Sequence, residues 1–73
     1  MNSENLILLW TNNKEKIVST IRKDIKRSDI VDDILQEVFI KFWENYKSIK
    51  EINKVTPWLL SVSKNTIADY FRE

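Results

Sequence analysis

Asp29, Asp32, Asp33, Gln36, Ile40 and Trp43 follow one another mostly at steps of three and four. At 100° per residue they line one side of a helix, as an acidic stripe that turns apolar along its length. Such a stripe can dock on a basic protein surface, with charge-assisted contacts around buried aliphatic and aromatic anchors. Alternatively, Ile40 and Trp43 are covered by another helix of the same chain and the acids are merely solvated. A second strip at helical spacing holds Trp58, Ser61, Asn65, Asp69 and Arg72. An indole, a hydroxyl, an amide and a guanidinium on one strip can stack on unpaired bases and hydrogen-bond to their edges. Here too a plainer assignment exists, with Trp58 buried and Asn65 and Asp69 serving as structural hydrogen-bonding groups.

Covalent chemistry is not expected. The chain has no histidine and no cysteine, which removes most zinc sites, cysteine nucleophiles and Ser-His triads. It also has no glycine, so phosphate-cradling loops and dinucleotide fingerprints, which need a backbone free of Cβ, are disfavoured. Asp32 and Asp33 are paired carboxylates without a complementary acid, base or metal ligand. No catalytic residue, metal site or cofactor is predicted, and binding is the default.

The elements that must carry these strips are helices. A first helix is predicted over residues 4–26, with Ser3 as its cap and Leu6, Ile7, Trp10, Ile17, Ile21 and Ile25 facing inward. Lys14 interrupts that face and is expected to snorkel, while Leu8 and Leu9 lie off it. A second helix is predicted from Ser28 or Asp29, either of which can cap, to Tyr46. Its core side is Ile30, Val31, Ile34, Leu35, Val38, Phe42 and Tyr46. A third starts at Thr56-Pro57, with Thr as cap and Pro in the first turn, and runs to the last residues. Its inward side is Leu59, Leu60, Ser63, Ile67, Tyr70 and Phe71. The fold class is therefore all-α, a compact bundle of about three main helices. At 73 residues it is one domain with a thin core.

Net charge is +1, but its distribution is uneven. Residues 1–27 carry +3, residues 28–37 carry −4 and residues 38–73 carry +2, so an acidic block stands between two basic ones. The longest apolar run, Leu6 to Trp10, is far too short to span a membrane, and the N-terminus lacks the pattern of a signal peptide. A cytoplasmic protein with no membrane partner and no small-molecule substrate is the expectation.

Two segments resemble a known family. VDDILQEVFIKFW at residues 31–43 is similar to the AEDLVQEVFLRLW signature of region 2 in sigma-70-family factors, the extracytoplasmic-function group above all. WLLSVSKNTIADYFR at residues 58–72 resembles that group's WLYRIARNLAIDYLR. The likeness makes residues 1–73 a single region 2 domain, although residues 1–27 match only in pattern. It implies a unit that binds the clamp helices of the RNA polymerase β′ subunit and that recognises and melts the −10 promoter element through the non-template strand.

Carried over, the resemblance gives polymerase contact to the second helix, with Asp33, Gln36 and Glu37 at matching positions beside Asp29, Asp32, Ile40 and Trp43. DNA contact falls on Trp58, Ser61, Asn65, Asp69 and Arg72, and on a base-accepting loop between Tyr46 and Thr56 that includes Asn53. Lys47, Lys50, Lys54, Lys64 and Arg72 would meet phosphates. The family's usual loop, FDPERGSFRAW, contains a glycine, whereas this one reads KSIKEINKVTP, so the base it accepts does not follow. Ser63 replaces the usual alanine. The domain that reads the −35 element in the family is absent from this chain.

Two other readings compete. A sigma-like regulatory module could bind a protein partner, an anti-sigma factor or polymerase, without reading DNA. A helix-turn-helix reader of duplex DNA would want more than Lys64 and Arg72 on residues 57–73.

Overall fold

The computed structural model describes residues 3–72, and side chains from Asn5 to Arg72. It is the expected helical bundle: α1 (Ser3–Arg22), α2 (Ser28–Asn45) and α3 (Val55–Arg72), with two single 3₁₀ turns, Tyr46–Ser48 and Ile52–Lys54, between α2 and α3. Among the described residues there is no strand. The proposed cap Ser3 lies outside the described side chains.

The ends of the helices differ from expectation by a few residues, each for a local reason. α1 stops at Arg22 rather than Lys26, in a turn where the Asp24 and Ile25 amides both donate to the Ile21 carbonyl. Leaving the helix there carries Ile25 into the core at 5% exposure. The Lys26 ammonium donates to the Arg22 carbonyl at 2.7 Å, satisfying one of the carbonyls that a helix C-terminus leaves open. Neither Ser28 nor Asp29 caps α2. Arg27 occupies the cap position in extended backbone, without a side-chain cap, and its guanidinium donates to both Asp29 carboxylate oxygens, at 3.2 and 2.7 Å. Thr56 does not cap α3, which begins one residue earlier at the buried Val55. Its hydroxyl crosses to α1 and donates to Asn13 Oδ1 at 2.6 Å.

The core runs along the three facing sides. Ile17 and Ile21 from α1, Val31, Ile34, Val38 and Phe42 from α2, and Val55, Leu59 and Ile67 from α3 are all at or below 5% exposure. Phe42 is its centre, fully buried, with Tyr46 edge-on at 5.5 Å, Trp58 tilted at 5.9 Å and Trp10 stacked at 6.4 Å. Trp10 also meets Phe39 edge-on at 4.9 Å. Such pairs contribute about 0.5–1.5 kcal/mol each beyond the area they bury.

Three predicted core residues are corrected. Ile7 is 52% exposed, while its neighbour Leu6, also predicted inward, is buried at 3%. Tyr70 and Phe71 are 40% and 60% exposed. In its last turn α3 borders the first turns of α2, where Tyr70 lines a groove with Ile30 and Ile34, and the two rings meet edge-on at 5.4 Å. Lys14 is exposed, and the neighbouring Asn13 takes the inward position at 8% exposure. Of the pair lying off the face, Leu9 is half-buried and Leu8 stays exposed. No described residue has a positive φ.

Candidate functional site

The stripe on α2 is free surface. Asp32, Asp33 and Gln36 are exposed, and Ile40 and Trp43 are 49% and 59% exposed, so among the described residues no other helix covers the apolar end. The side of α2 that faces the core is filled by Val31, Ile34, Val38 and Phe42, which leaves the opposite side outward by helical geometry. Neither Asp32 nor Asp33 is in an ion pair among the described residues. Asp29 is: the hydrogen bond from Arg27, aided by its charge, holds the Asp29 carboxyl below the usual value of 3.8. The acidic end of the stripe is thus partly neutralised by Arg27 at Asp29 and without an ion-pair partner among the described residues at Asp32 and Asp33.

Glu37 sits on the flank that turns toward α3 rather than on the stripe. Its carboxylate is 3.7 Å from the Lys41 ammonium, which donates to Thr66 Oγ1 at 3.0 Å. The buried Thr66 hydroxyl in turn donates to the Val62 carbonyl at 2.8 Å. This polar link between α2 and α3 was missed from sequence, because Thr66 and Lys41 are separated by a loop and neither belongs to a recognisable strip. Beside it, a small groove of about 130 Å³ is lined by Ile30, Asp33, Ile34, Glu37, Thr66, Asp69 and Tyr70. Asp69, expected on the DNA side, therefore shares a groove with Asp33 and Glu37, expected on the protein side. The two faces meet at this end of the bundle. These carboxylates do not form a metal-holding group, and none exists among the described residues.

On α3, Ser61, Lys64, Asn65, Asp69 and Arg72 are exposed, as the strip requires. Arg72 is not a free cation, since its guanidinium lies 3.1 Å from the Asp69 carboxylate. Both partners are well exposed, so the pair is weak and easily exchanged. Trp58 is only half-buried. One part of the indole packs on Phe42 and another lines an open groove of about 350 Å³ together with Ser48, Ile49, Lys50, Glu51 and Lys54. A π-face held by the core at the edge of a lysine-lined hollow is the arrangement on which an unpaired base can stack. Lys47 and Asn53 are exposed but do not line that hollow. Ile52 stands 66% exposed beside it.

What fixes the hollow is the joint between α1 and α3. Asn13 donates through Nδ2 to the Leu9 carbonyl at 2.7 Å and accepts the Thr56 hydroxyl through Oδ1. The loop from residue 46 is anchored at its other end by Tyr46 and Ile49, at 3% and 8% exposure. Burial pushes the Tyr46 phenol above its ordinary value of 10.0.

Residues 9–73 match the family described as Sigma-70 region 2. The chain is similar to RNA polymerase sigma factor SigZ of Bacillus subtilis, 31% identical over 64 residues that cover 88% of this chain and 36% of SigZ. It is 38% identical over 53 residues to RNA polymerase sigma factor HrpL of Pseudomonas syringae pv. syringae, covering 73% of this chain and 29% of HrpL. A probable RNA polymerase sigma factor of Haemophilus influenzae is 23% identical over 60 residues, 82% of this chain and 31% of that protein. The chain thus spans about a third of the length of the curated relatives it matches. No solved structure matches it.

Proposed function

Because the chain belongs to the sigma-70 region 2 family, we propose that it is a transcription-initiation domain that docks on RNA polymerase through α2 and holds the opened −10 element through α3 and the preceding loop. The observation that carries this reading is the outward stripe of α2, acidic at one end and, at Ile40 and Trp43, uncovered and apolar at the other. Its partner is the β′ clamp helices, with Asp29, Asp32, Asp33 and Gln36 meeting basic groups and Ile40 and Trp43 buried on docking. Glu37 acts from the flank, through the groove it shares with Asp33. The place of action is the bacterial cytoplasm, where polymerase is found. Among the described residues no helix is long and apolar enough to cross a membrane.

On the DNA side, Lys50 and Lys54 meet phosphates of the non-template strand while a base enters the hollow against Trp58. Asn65 and Ser61 hydrogen-bond to base edges, and Arg72 trades its Asp69 partner for a phosphate. Lys47 and Asn53 act outside the hollow, on the backbone that approaches it. Unpairing costs a few kcal/mol per base, and capture of the extruded base offsets it. With a net charge of only +1, the free chain should bind DNA weakly and with strong salt dependence. Tight binding comes with polymerase.

A double variant, Asp33→Ala with Gln36→Ala, should lose association with a β′ clamp-helix fragment in a pull-down while its circular dichroism stays helical. Asn65→Ala should weaken a single-stranded −10 oligonucleotide and leave the clamp interaction intact. Association that survives in the double variant removes the docking assignment. A chain that binds the clamp fragment but no −10 strand would instead be a regulatory module, held by polymerase or by an anti-sigma factor.

A further inference from the structure

A second basic surface lies outside the strips described so far. Between the C-terminal half of α1 and α3 runs a groove of about 470 Å³, lined by Lys16, Thr20, Lys23, Asp24, Leu60, Lys64 and Ile67. Lys23 also borders a shallower surface with Lys14, Arg22 and Lys26, where Glu15 is the lone acid. The ammonium groups of Lys16, Lys23 and Lys64 are in no ion pair among the described residues. Three lysines against the single acid Asp24 leave the trough net positive, which favours an anion there.

Lys64 decides which anion. It lines this trough and also belongs to the phosphate-contacting set proposed for α3, adjacent in sequence to Asn65, so a strand held along the α3 strip has a cation at the mouth of the groove to lead it in. The floor, Leu60 and Ile67, is half-buried to buried and offers no deep apolar hole of the kind a protein anchor would fill. We propose that the α1–α3 groove is a track for the sugar–phosphate backbone of DNA, with Lys16 and Lys23 extending onto α1 the phosphate contacts that begin at Lys64. This rests on the DNA-binding reading of α3 given above. It assigns to α1 a role in affinity and none in base choice. Asp24 is the one group in the lining that opposes it.

The test uses the 73-residue chain and a fork DNA whose −10 non-template strand is single-stranded beside an upstream duplex. Anisotropy titrations at several salt concentrations give the slope of log K against log salt. Each phosphate contact contributes about 0.7–0.9 to that slope. Lys16→Gln with Lys23→Gln should therefore lower it by roughly 1.4–1.8, equally on a fork with a scrambled −10 sequence. Arg27→Gln removes one charge outside the groove and should leave the slope as it is. Asp24→Asn should tighten binding. An unchanged slope in the lysine double variant, with helix content retained, overturns the track. Preference of the unsubstituted chain for the −10 over the scrambled fork, measured in the same titrations, tests the base-reading role separately. Should that preference be missing while the slope still falls, the groove stands and the base-reading role does not.

Discussion

Replacing Trp43 with alanine separates docking from folding. A tryptophan presents about 150–250 Å² for burial. With 59% of Trp43 exposed in the free chain, about 90–150 Å² of that remains for a partner to cover. At ~25 cal/mol per Å² this is about 2–4 kcal/mol. On the docking model such a loss weakens clamp binding roughly 30- to 700-fold. The fold should hardly notice, since changes at exposed positions outside special features usually stay within about 0.5 kcal/mol. Isothermal titration of a β′ clamp-helix fragment into the variant, beside a thermal melt, reads both quantities. A dissociation constant within threefold of the parent, with an unchanged melt, would refute the claim that the apolar end of the stripe is an anchor. Lost affinity with a lowered melting temperature would point to a packing role that the exposure of Trp43 contradicts.

Other expectations follow from contacts inside the bundle. Asn13→Ala and Thr56→Val should each destabilise by about 1–3 kcal/mol, because each takes the hydrogen-bond partner from a part-buried polar group, the Thr56 hydroxyl in one case and the buried Asn13 amide in the other. At ~4–8 °C per kcal/mol for a domain of this size, the melts should show it, and the double variant should cost less than the sum of the singles. Strict additivity would mean that the two side chains do not act as a pair. The raised Tyr46 phenol favours the protonated form in the folded state, so the unfolded chain releases its proton first. Stability should be complete below about pH 10 and fall as pH rises through that value, a fall that Tyr46→Phe abolishes in alkaline melts. Asp29 has the opposite sense: its lowered value contributes stability above its ordinary titration near 3.8, lost as pH drops through the folded value. Carboxyl carbon NMR should find Asp29 titrating below 3.8 and moving upward in Arg27→Gln.

The helical bundle and the stripe were readable from residue spacing, because Val31, Ile34, Val38 and Phe42 repeat at the helical period and leave their opposites on the far side of α2, while the exposure of Ile40 and Trp43 took the fold to decide. The ends were not. Period alone places Tyr70 and Phe71 inward, but whether a neighbouring helix reaches far enough to cover them depends on lengths fixed in three dimensions. Capping signals misled in the same way. Thr56 has the right type for a cap, yet a buried acceptor on Asn13, 43 residues away in sequence, competes for its hydroxyl. Lys16 and Lys23 carry no local signature at all. They become a groove only when α3 brings Lys64 opposite. The acidic groove joining Asp33, Glu37 and Asp69 was equally invisible, since those residues lie on two helices assigned to different partners.

The hollow beside Trp58 is built without glycine and without any left-handed residue, from two 3₁₀ turns of ordinary backbone geometry. Side-chain exchange there meets no stereochemical toll, provided Ile49 and Val55 keep their places in the interior. Lys47, Ser48, Lys50, Glu51, Ile52, Asn53 and Lys54 are all exposed, and of their side chains only the Ser48 hydroxyl, which donates to the Asn45 carbonyl at 2.7 Å, makes a described hydrogen bond, so most of this rim can be re-lettered while the scaffold beneath it stands still. On the proposed reading of this loop, a randomised library over those seven positions should vary nucleotide choice almost independently of thermal resilience.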